Sequence, residues 1–292
     1  MVDLFSDDIF GEYGAGIHFH MPDKDYHAVK AVSNSSLKFA KRSMRHFNEW
    51  LNGAPIAQTA PMRWGTIMHL AILQHDEFKK QVVLTSAKDK RSKAYKEALE
   101  ENPDAQYILT APEVELVTAM VTELQNTPEC IRLIKDGSPE VTIFTTDPET
   151  GLKIKLRIDW VSTDPEKPYI LDYKTTTDAK PAEFFEGTMK ANPSEFEKKS
   201  YNLGYCNQAA FYLKYARQER IKAEFFSILA QEKDNPYLAV SYAYGCETLD
   251  AADEENSKLL LQIAKCAKDG IWPGYTNKTE IMCRPYWGMT SE

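Results

Sequence analysis

The most constraining feature of this 292-residue chain is a change of pattern at Glu140. From there β-branched and aromatic residues replace helical spacing, and residues 141–145 predict a β-strand. After a turn at 147–151, apolar residues alternate with charged ones over residues 152–159. This period of two predicts a second, half-buried strand, and residues 169–174 predict a third. The chain therefore folds around a strand meander.

Helical patterns surround the meander. Before it, residues 37–51, 65–74, 110–124 and 128–137 predict helices, with serines at 33–36 as candidate N-caps. After it, the pattern predicts a helix, two strands and a last helix, at residues 201–217, 223–230, 238–244 and 249–268. This order predicts an α/β fold, in which a mixed central sheet is flanked by helices and an N-terminal portion is helical.

The domain organisation follows from the same patterns. Residues 1–30 predict an irregular N-terminal arm, and residues 31–292 a single domain. Within that domain we expect a mainly helical part at 31–137 and a sheet core at 138–245. A C-terminal helix and an irregular tail at 246–292 complete the domain.

Composition limits the class of protein. No apolar run approaches the roughly 20 residues that span a bilayer, and the acidic N-terminus lacks the layout of a signal peptide. We therefore expect a cytoplasmic protein that is not bound to a membrane. The five cysteines are odd in number and form no CxxC pair, which argues against a disulfide framework or a zinc finger.

The distribution of charge matters more than the formal net charge of −8. Five basic residues and no acidic one lie between residues 30 and 48. Five more basic residues, with a single aspartate among them, lie between residues 88 and 96. Each cluster is either a solvated helix face or a surface for DNA phosphates. In the first cluster, helix-borne cations and a hydroxyl could hold a 5′-terminal phosphate, and these residues are Lys41, Arg42, Ser43 and Arg45.

The residues most informative about chemistry are Asp159, Asp172 and Lys174. Asp172 and Lys174 are two positions apart on one predicted strand, so their side chains leave the same face. Asp159 ends the preceding strand, and a short turn would bring its carboxylate beside that of Asp172. Two adjacent carboxylates favour a cation between them, and Mg²⁺ prefers such oxygen ligands. Alone, an Asp-x-Lys pair is more often a surface ion pair.

Five short motifs carry a resemblance to a known family. They are Gly65-x-x-x-His69, Glu140, Arg157-x-Asp159, Asp172-x-Lys174 and Gln208-x-x-x-Tyr212. They occur in the order seen in RecB-like nucleases of the PD-(D/E)xK superfamily, and the chain resembles the RecE-type exonuclease domain (exonuclease VIII) over about residues 30–276. The resemblance implies the restriction-endonuclease-like core of that superfamily.

The resemblance also implies roles for individual residues. His69, Asp159 and Asp172 would bind the metal, Mg²⁺ or alternatively Mn²⁺. Glu140 would be a further acidic group near the metal, and Gln208 and Tyr212 would brace the catalytic group or touch DNA. Without the resemblance, His69 would be taken for a core histidine. The candidate DNA contacts are Lys41, Arg42, Ser43, Arg45, Lys90, Arg91 and Arg157. The aromatic stripe of Tyr201 and Tyr205 is expected in the core.

The implied activity is a metal-dependent 5′-to-3′ exonuclease on linear double-stranded DNA. It would act as a ring-shaped homo-oligomer and generate single-strand tails for homologous recombination. A single-strand annealing protein would be its partner, often in phage or prophage settings. Three alternatives remain open: a structure-specific or Cas4-like nuclease, a non-catalytic DNA-binding scaffold, and an unrelated metal-binding or interaction protein. The cysteine spacing argues against the iron–sulfur cluster of Cas4-like enzymes, and the intact acidic pair and lysine argue against a decayed scaffold.

Overall fold

The fold is described from a computed structural model, which covers residues 2–53, 59–164, 166–182 and 193–282. A 3-10 helix spans Asp7–Tyr13. The α-helices are α1 Asp23–Ala28, α2 Asn34–Arg42, α3 Met44–Leu51, α4 Ala60–Leu73, α5 His75–Gln81, α6 Lys93–Glu101, α7 Ala111–Gln125, α8 Pro128–Lys135, α9 Glu195–Asn202, α10 Tyr205–Gln218 and α11 Cys246–Asp269. The strands are β1 Gly16–His18, β2 Val82–Leu84, β3 Tyr107–Leu109, β4 Gly137–Thr146, β5 Lys153–Ser162, β6 Tyr169–Thr176, β7 Phe225–Glu232 and β8 Ala239–Ala243.

A six-stranded sheet lies at the centre of the fold, in the order β1-β4-β5-β6-β7-β8. Neighbouring strands are antiparallel except β6 and β7, which are parallel because α9 and α10 carry the chain back between them. Strands β2 and β3 form a separate parallel pair, which the sequence patterns did not predict. The mixed α/β fold with a central sheet flanked by helices is confirmed.

Two apolar clusters pack against the sheet. The larger joins α2, α3, α10 and α11 to β4, β5 and β7, with Phe47, Phe211 and Ile263 fully buried within it. The second joins α4, α7 and α8 to β6, with Met68, Met120 and Leu171 fully buried. Helices on both sides therefore hold the strand ends that carry the polar residues.

Strand β5 departs from the half-buried strand that its alternation predicts. Its charged residues Lys153 and Lys155 are only 7% and 4% exposed, because the N-terminal arm covers them. The Lys153 ammonium donates to Asp7 at 2.6 Å, and the Lys155 ammonium donates to the carbonyls of Tyr26 and Val29. The arm is also not irregular, since it contains the 3-10 helix, β1 and α1. Long-range covering of this kind leaves no trace in the local pattern.

The helix predicted over residues 37–51 is two helices. Ser33 caps α2 through a capping box with Ser36. The chain then turns at Ser43, whose backbone is extended and whose hydroxyl accepts a hydrogen bond from the His46 N–H to cap α3. The serine at the break therefore ends one helix and begins the next.

The composition led us to expect no membrane-spanning helix and no disulfide framework, and the described residues bear on both. None of the helices there is long and apolar enough to cross a membrane. Cys130, Cys206, Cys246 and Cys266 are free thiols, and Cys246 is exposed. Cys283 lies outside the described residues.

Candidate active site

Adjacent strands β4 and β5 bring two carboxylates together. Val141 pairs with Ile158, and the ladder keeps this register on both sides of Glu140, so Glu140 lies opposite Asp159. The backbone of Glu140 has φ 52°, a left-handed conformation that is uncommon outside glycine. Such strained positions persist where the surrounding structure holds them, and they cluster at functional sites.

Asp159 lies in a gap between β5 and β6. Among the described residues, these strands pair only at 160–161 and 170–171, and they part toward Asp159 and Asp172. The Asp159 carboxylate fills the gap by accepting a 3.0 Å hydrogen bond from the backbone N–H of Tyr173. The parting strands thus place the carboxylates of β5 and β6 beside one another.

His69 on α4 completes a cluster of potential metal ligands. Ligand atoms of His69, Glu140 and Asp159 all lie within 4.8 Å of one another. The Nε2 atom of His69 is 3.3 Å from Asp159 Oδ2 and 3.5 Å from Glu140 Oε1, yet it makes no hydrogen bond of good geometry with any described residue. The Gln74 amide contacts its Nδ1 atom at 3.2 Å. A buried, unsatisfied imidazole nitrogen facing two carboxylates fits a divalent cation, which is bound by such nitrogen and oxygen donors.

Asp172 lies beside this cluster and has other partners. Its Oδ1 atom accepts a 2.6 Å hydrogen bond from the Gln208 amide on α10, and Oδ2 is paired with the Lys174 ammonium. The side chain of Asp172 is almost completely buried. The ligand set expected from the sequence was His69, Asp159 and Asp172, whereas the clustered ligands include Glu140 in place of Asp172.

The pKa values at the site reflect the close approach of buried carboxylates and cations. Burial raises the pKa of Asp172 to about 6, against the opposing effect of Lys174 and with a further increase from Asp159. Burial disfavours the charged imidazolium of His69 and so lowers its pKa. The nearby carboxylates of Asp159 and Glu140 favour the imidazolium more strongly, and the pKa of His69 rises to about 9. Burial likewise opposes the charge on Lys174, yet Asp172 and Asp159 raise its pKa. A bound cation would relieve this crowding of carboxylates.

Arg157, expected to contact DNA, is instead committed to the protein. Its guanidinium bonds Asp23 on α1 at 2.9 Å and Glu140 at 3.1 Å, and it lies 4.2 Å from the centre of the Tyr26 ring. The Arg157 side chain is only 11% exposed. These contacts make Arg157 a support for Glu140, and they leave little of it available to a phosphate.

The aromatic residues after β6 differ from expectation. Tyr201 is 73% exposed, so its placement in the core was wrong. Tyr205 is half-buried, and the Lys174 ammonium lies 5.2 Å from the centre of its ring. Tyr212 is half-buried one turn after Gln208, and its ring packs edge-on against Phe226. The break between α9 and α10 at Gly204, which has φ 69°, turns this stripe toward solvent and the site.

The other candidate DNA contacts lie in three places. Lys41 and Arg42 line a groove beside α2, where Lys41 pairs with Glu255 and Arg42 donates to the Tyr275 hydroxyl. Ser43 caps α3, and Arg45 is exposed but outside the groove lining. Lys90 and Arg91 are exposed before α6, with Lys90 3.8 Å from Glu113. The groove also contains Lys38, which was not among the candidate DNA contacts chosen from the sequence. Lys38 precedes Arg42 by four residues on α2, and this spacing, which places the two cations on one face of the helix, could have identified it.

A strand junction where acidic side chains surround a lysine, next to a histidine on a flanking helix, defines a PDDEXK-like domain, the class that includes the PD-(D/E)xK nucleases. The chain belongs to the family described as a PDDEXK-like domain of unknown function (DUF3799), whose model matches residues 33–285. The motifs proposed from the sequence all fall inside that range.

One solved structure shares the fold. A presumed exonuclease from Eubacterium rectale is 14% identical with a TM-score of 0.63, and the match covers 92% of this chain and 96% of that one. Two further matches, SSO0001 and protein VC1899 from Vibrio cholerae, are 14% and 10% identical and cover 66% and 89% of this chain. They cover 85% and 61% of their own chains, and their TM-scores of 0.26 and 0.19 are too low to inform the argument. No curated protein matches the sequence significantly.

Proposed function

We propose that this chain is a divalent-metal-dependent deoxyribonuclease. The observation that carries the proposal is the cluster of His69, Glu140 and Asp159 beside the buried pair of Asp172 and Lys174. The three clustered residues would hold the ion, with Mg²⁺ as the expected ion and Mn²⁺ as the alternative. When bound, such an ion lowers the pKa of water and offsets negative charge on a phosphodiester.

The protein's own residues then have separate tasks. Lys174 keeps its proton, because Asp172 and Asp159 stabilise the ammonium, and it donates hydrogen bonds to the attacking water or the phosphate. Gln208 fixes Asp172 through the 2.6 Å hydrogen bond. Arg157 holds Glu140 against β5. The Tyr205 ring lies against the Lys174 ammonium, 5.2 Å from the ring centre, where a cation–π contact stabilises the charge.

The substrate we propose is linear double-stranded DNA, degraded from 5′ to 3′ to leave single-strand tails for homologous recombination. The support is the resemblance of the motifs to RecE-type exonucleases, together with the exonuclease name of the E. rectale protein that shares the fold. An annealing protein as partner and a homo-oligomeric ring belong to the same proposal. A ring would confine basic residues to a channel and so reconcile DNA binding with the net charge of −8.

The direct test is digestion of end-labelled linear DNA and closed circular DNA, with Mg²⁺, with Mn²⁺ and with EDTA. We expect mononucleotide release from linear DNA only, and only with metal. Asp172→Asn serves as the inactive control. Cutting of the circle would indicate an endonuclease, and binding of DNA without cleavage under any metal would indicate a non-catalytic scaffold.

The polarity has its own test. A terminal phosphate carries more negative charge than an internal diester, and Lys41 and Arg42 line a groove that could receive it. We expect 5′-phosphorylated duplexes to be degraded faster than 5′-hydroxyl duplexes, with Lys41→Ala or Arg42→Ala narrowing the difference. Equal rates for the two wild-type substrates would remove this preference from the proposal.

A further inference from the structure

A groove of about 380 Å³ lies between α2, the α9–α10 junction and α11. Its volume falls within the range of small-molecule sites. Three cations line it, and the acidic Glu255 touches only one of them, Lys41. The lining residues that matter here are Asn34, Leu37, Lys38, Lys41, Arg42 and Leu203.

Lys38 is the groove cation with free bonding capacity. Lys41 is paired with Glu255, and Arg42 donates to Tyr275, whereas Lys38 makes no hydrogen bond or ion pair with any described residue. Lys38 also lies near the catalytic pair. Burial first, and then the charge of Lys174, lower the pKa of Lys38, while Asp172 has the opposite effect. An unpaired ammonium close to the active site is suited to a phosphate.

Asn34 supplies a second and independent observation. The residue is only 7% exposed, yet its side-chain amide has no hydrogen-bond partner among the described residues. It lines the groove and is not among the polar atoms sealed from solvent, so its amide opens into the cavity. Buried amides normally have partners, and an unpaired one facing a cavity is available to a ligand.

The apolar part of the groove is formed by three leucines, Leu37, Leu203 and Leu259. Leu37 is buried in the larger apolar cluster and forms part of the wall, and Leu203 is 44% exposed where α9 meets α10. An apolar surface beside a cation and an amide matches the three parts of a nucleotide: base or sugar face, phosphate and polar base edge.

We infer that this groove binds one nucleotide of the DNA strand, with Lys38 on its 5′-phosphate, Asn34 on its base or sugar, and Leu37 and Leu203 against its apolar face. The inference rests on the proposed function and adds Lys38 and Asn34 to its binding residues. Lys41 and Arg42 are then the outer cations of the same groove. The metal cluster is not needed for this contact.

The test is a binding measurement in EDTA, so that neither metal nor cleavage contributes. Isothermal titration compares deoxyadenosine 5′-monophosphate, deoxyadenosine and inorganic phosphate. For the wild-type chain we expect the monophosphate to bind about tenfold or more tightly than the nucleoside, as a charge-assisted hydrogen bond provides. Lys38→Met should bring this ratio close to one, and Lys38→Arg should restore most of it. Lys222→Met is the matched control, an exposed lysine without a partner in the described chain.

Asn34 has a different expected signature. Asn34→Ala should weaken the monophosphate and the nucleoside alike, by about three- to tenfold, and leave their ratio unchanged. Because Asn34 is buried, circular dichroism must show that the variant is folded; Asn34→Ser, which a helix start accepts, is the second variant. Equal binding of monophosphate and nucleoside by wild type, or an unchanged ratio in Lys38→Met, would overturn the inference.

The outcomes separate the groove from the catalytic proposal. If the protein cleaves DNA with metal but the Lys38 and Asn34 variants bind nucleotides as the wild type does, the proposed nuclease activity stands and only the inference about the groove fails. If nucleotide binding depends on Lys38 but the protein cleaves no DNA, the inference about the groove stands and the proposed nuclease activity fails.

Discussion

The Nε2 atom of His69 lies 3.3 Å from Oδ2 of Asp159, although the two residues are far apart in the sequence. A metal ligand must be a neutral imidazole, while the metal-free site favours the protonated form and raises the pKa of His69 to about 9. Protons and metal therefore compete for the same nitrogen atom.

The first prediction follows from that competition. Between about pH 6.5 and 8, metal binding to the wild-type chain should release close to one proton from His69, falling to about half a proton near pH 9, and Mn²⁺ affinity should rise with pH until about pH 9. Titration calorimetry in two buffers of different ionisation enthalpy counts the protons. His69→Gln should bind metal more weakly, by about ten- to a hundredfold, and release no proton from this position. A wild-type titration without proton release would rule out His69 as a ligand.

The second prediction concerns the support of Asp172 by Gln208. Gln208→Leu removes the donor and leaves a buried carboxylate oxygen without its hydrogen bond. We expect a loss of about 1–3 kcal/mol in the free energy of unfolding, measured with urea in EDTA. Gln262→Leu, at an exposed position of α11, is the matched control and should change stability by less than about 0.5 kcal/mol. Equal effects of the two substitutions would mean that the hydrogen bond stabilises nothing.

The third prediction separates catalysis from DNA binding. Asp172→Asn should lower cleavage of linear DNA by about a thousandfold or more, because it breaks the pairing that positions Lys174. DNA affinity in EDTA should change little, since phosphate contacts elsewhere supply it. Fluorescence anisotropy measures the affinity and single-turnover digestion the rate. Cleavage close to wild type would refute the assignment of the site.

The fourth prediction tests whether Arg157 contacts DNA. Its guanidinium is shared by Asp23 and Glu140, so Arg157→Gln, which removes the charge, should leave the salt dependence of DNA binding unchanged. A residue that binds a phosphate would instead reduce the slope of log affinity against log salt by about one. The measurement is anisotropy in EDTA across a salt series. Arg42→Gln, at a cation that lines the groove beside α2, is the matched comparison and should reduce the slope.

The fifth prediction concerns assembly. If basic residues such as Lys90 and Arg91 line the channel of a ring, sedimentation at micromolar concentration should show species several times larger than the 33.3 kDa chain. Lys90→Glu with Arg91→Glu should weaken DNA binding without changing the sedimentation of the free protein. A 33.3 kDa species alone, with processive activity intact, would exclude the ring.

Part of the fold and part of the candidate site could be predicted from the sequence alone. The period of two in β5 and the β-branched run of β4 predicted the meander, and the spacing of Asp172 and Lys174 predicted that they share a face. These features depend on backbone geometry over a few residues, which a local pattern encodes directly. The order of five weak motifs then indicated the class of domain, although none of them would suffice alone.

The tertiary structure decided which distant groups meet those residues. It brought His69 from α4 to Glu140 and Asp159, brought Gln208 from α10 to Asp172, and buried Lys155 under the N-terminal arm. It also exposed Tyr201 and withdrew Arg157 from the surface. Such contacts depend on how helices pack across a sheet and on which strands part, and packing is set by the whole chain rather than by neighbours in sequence.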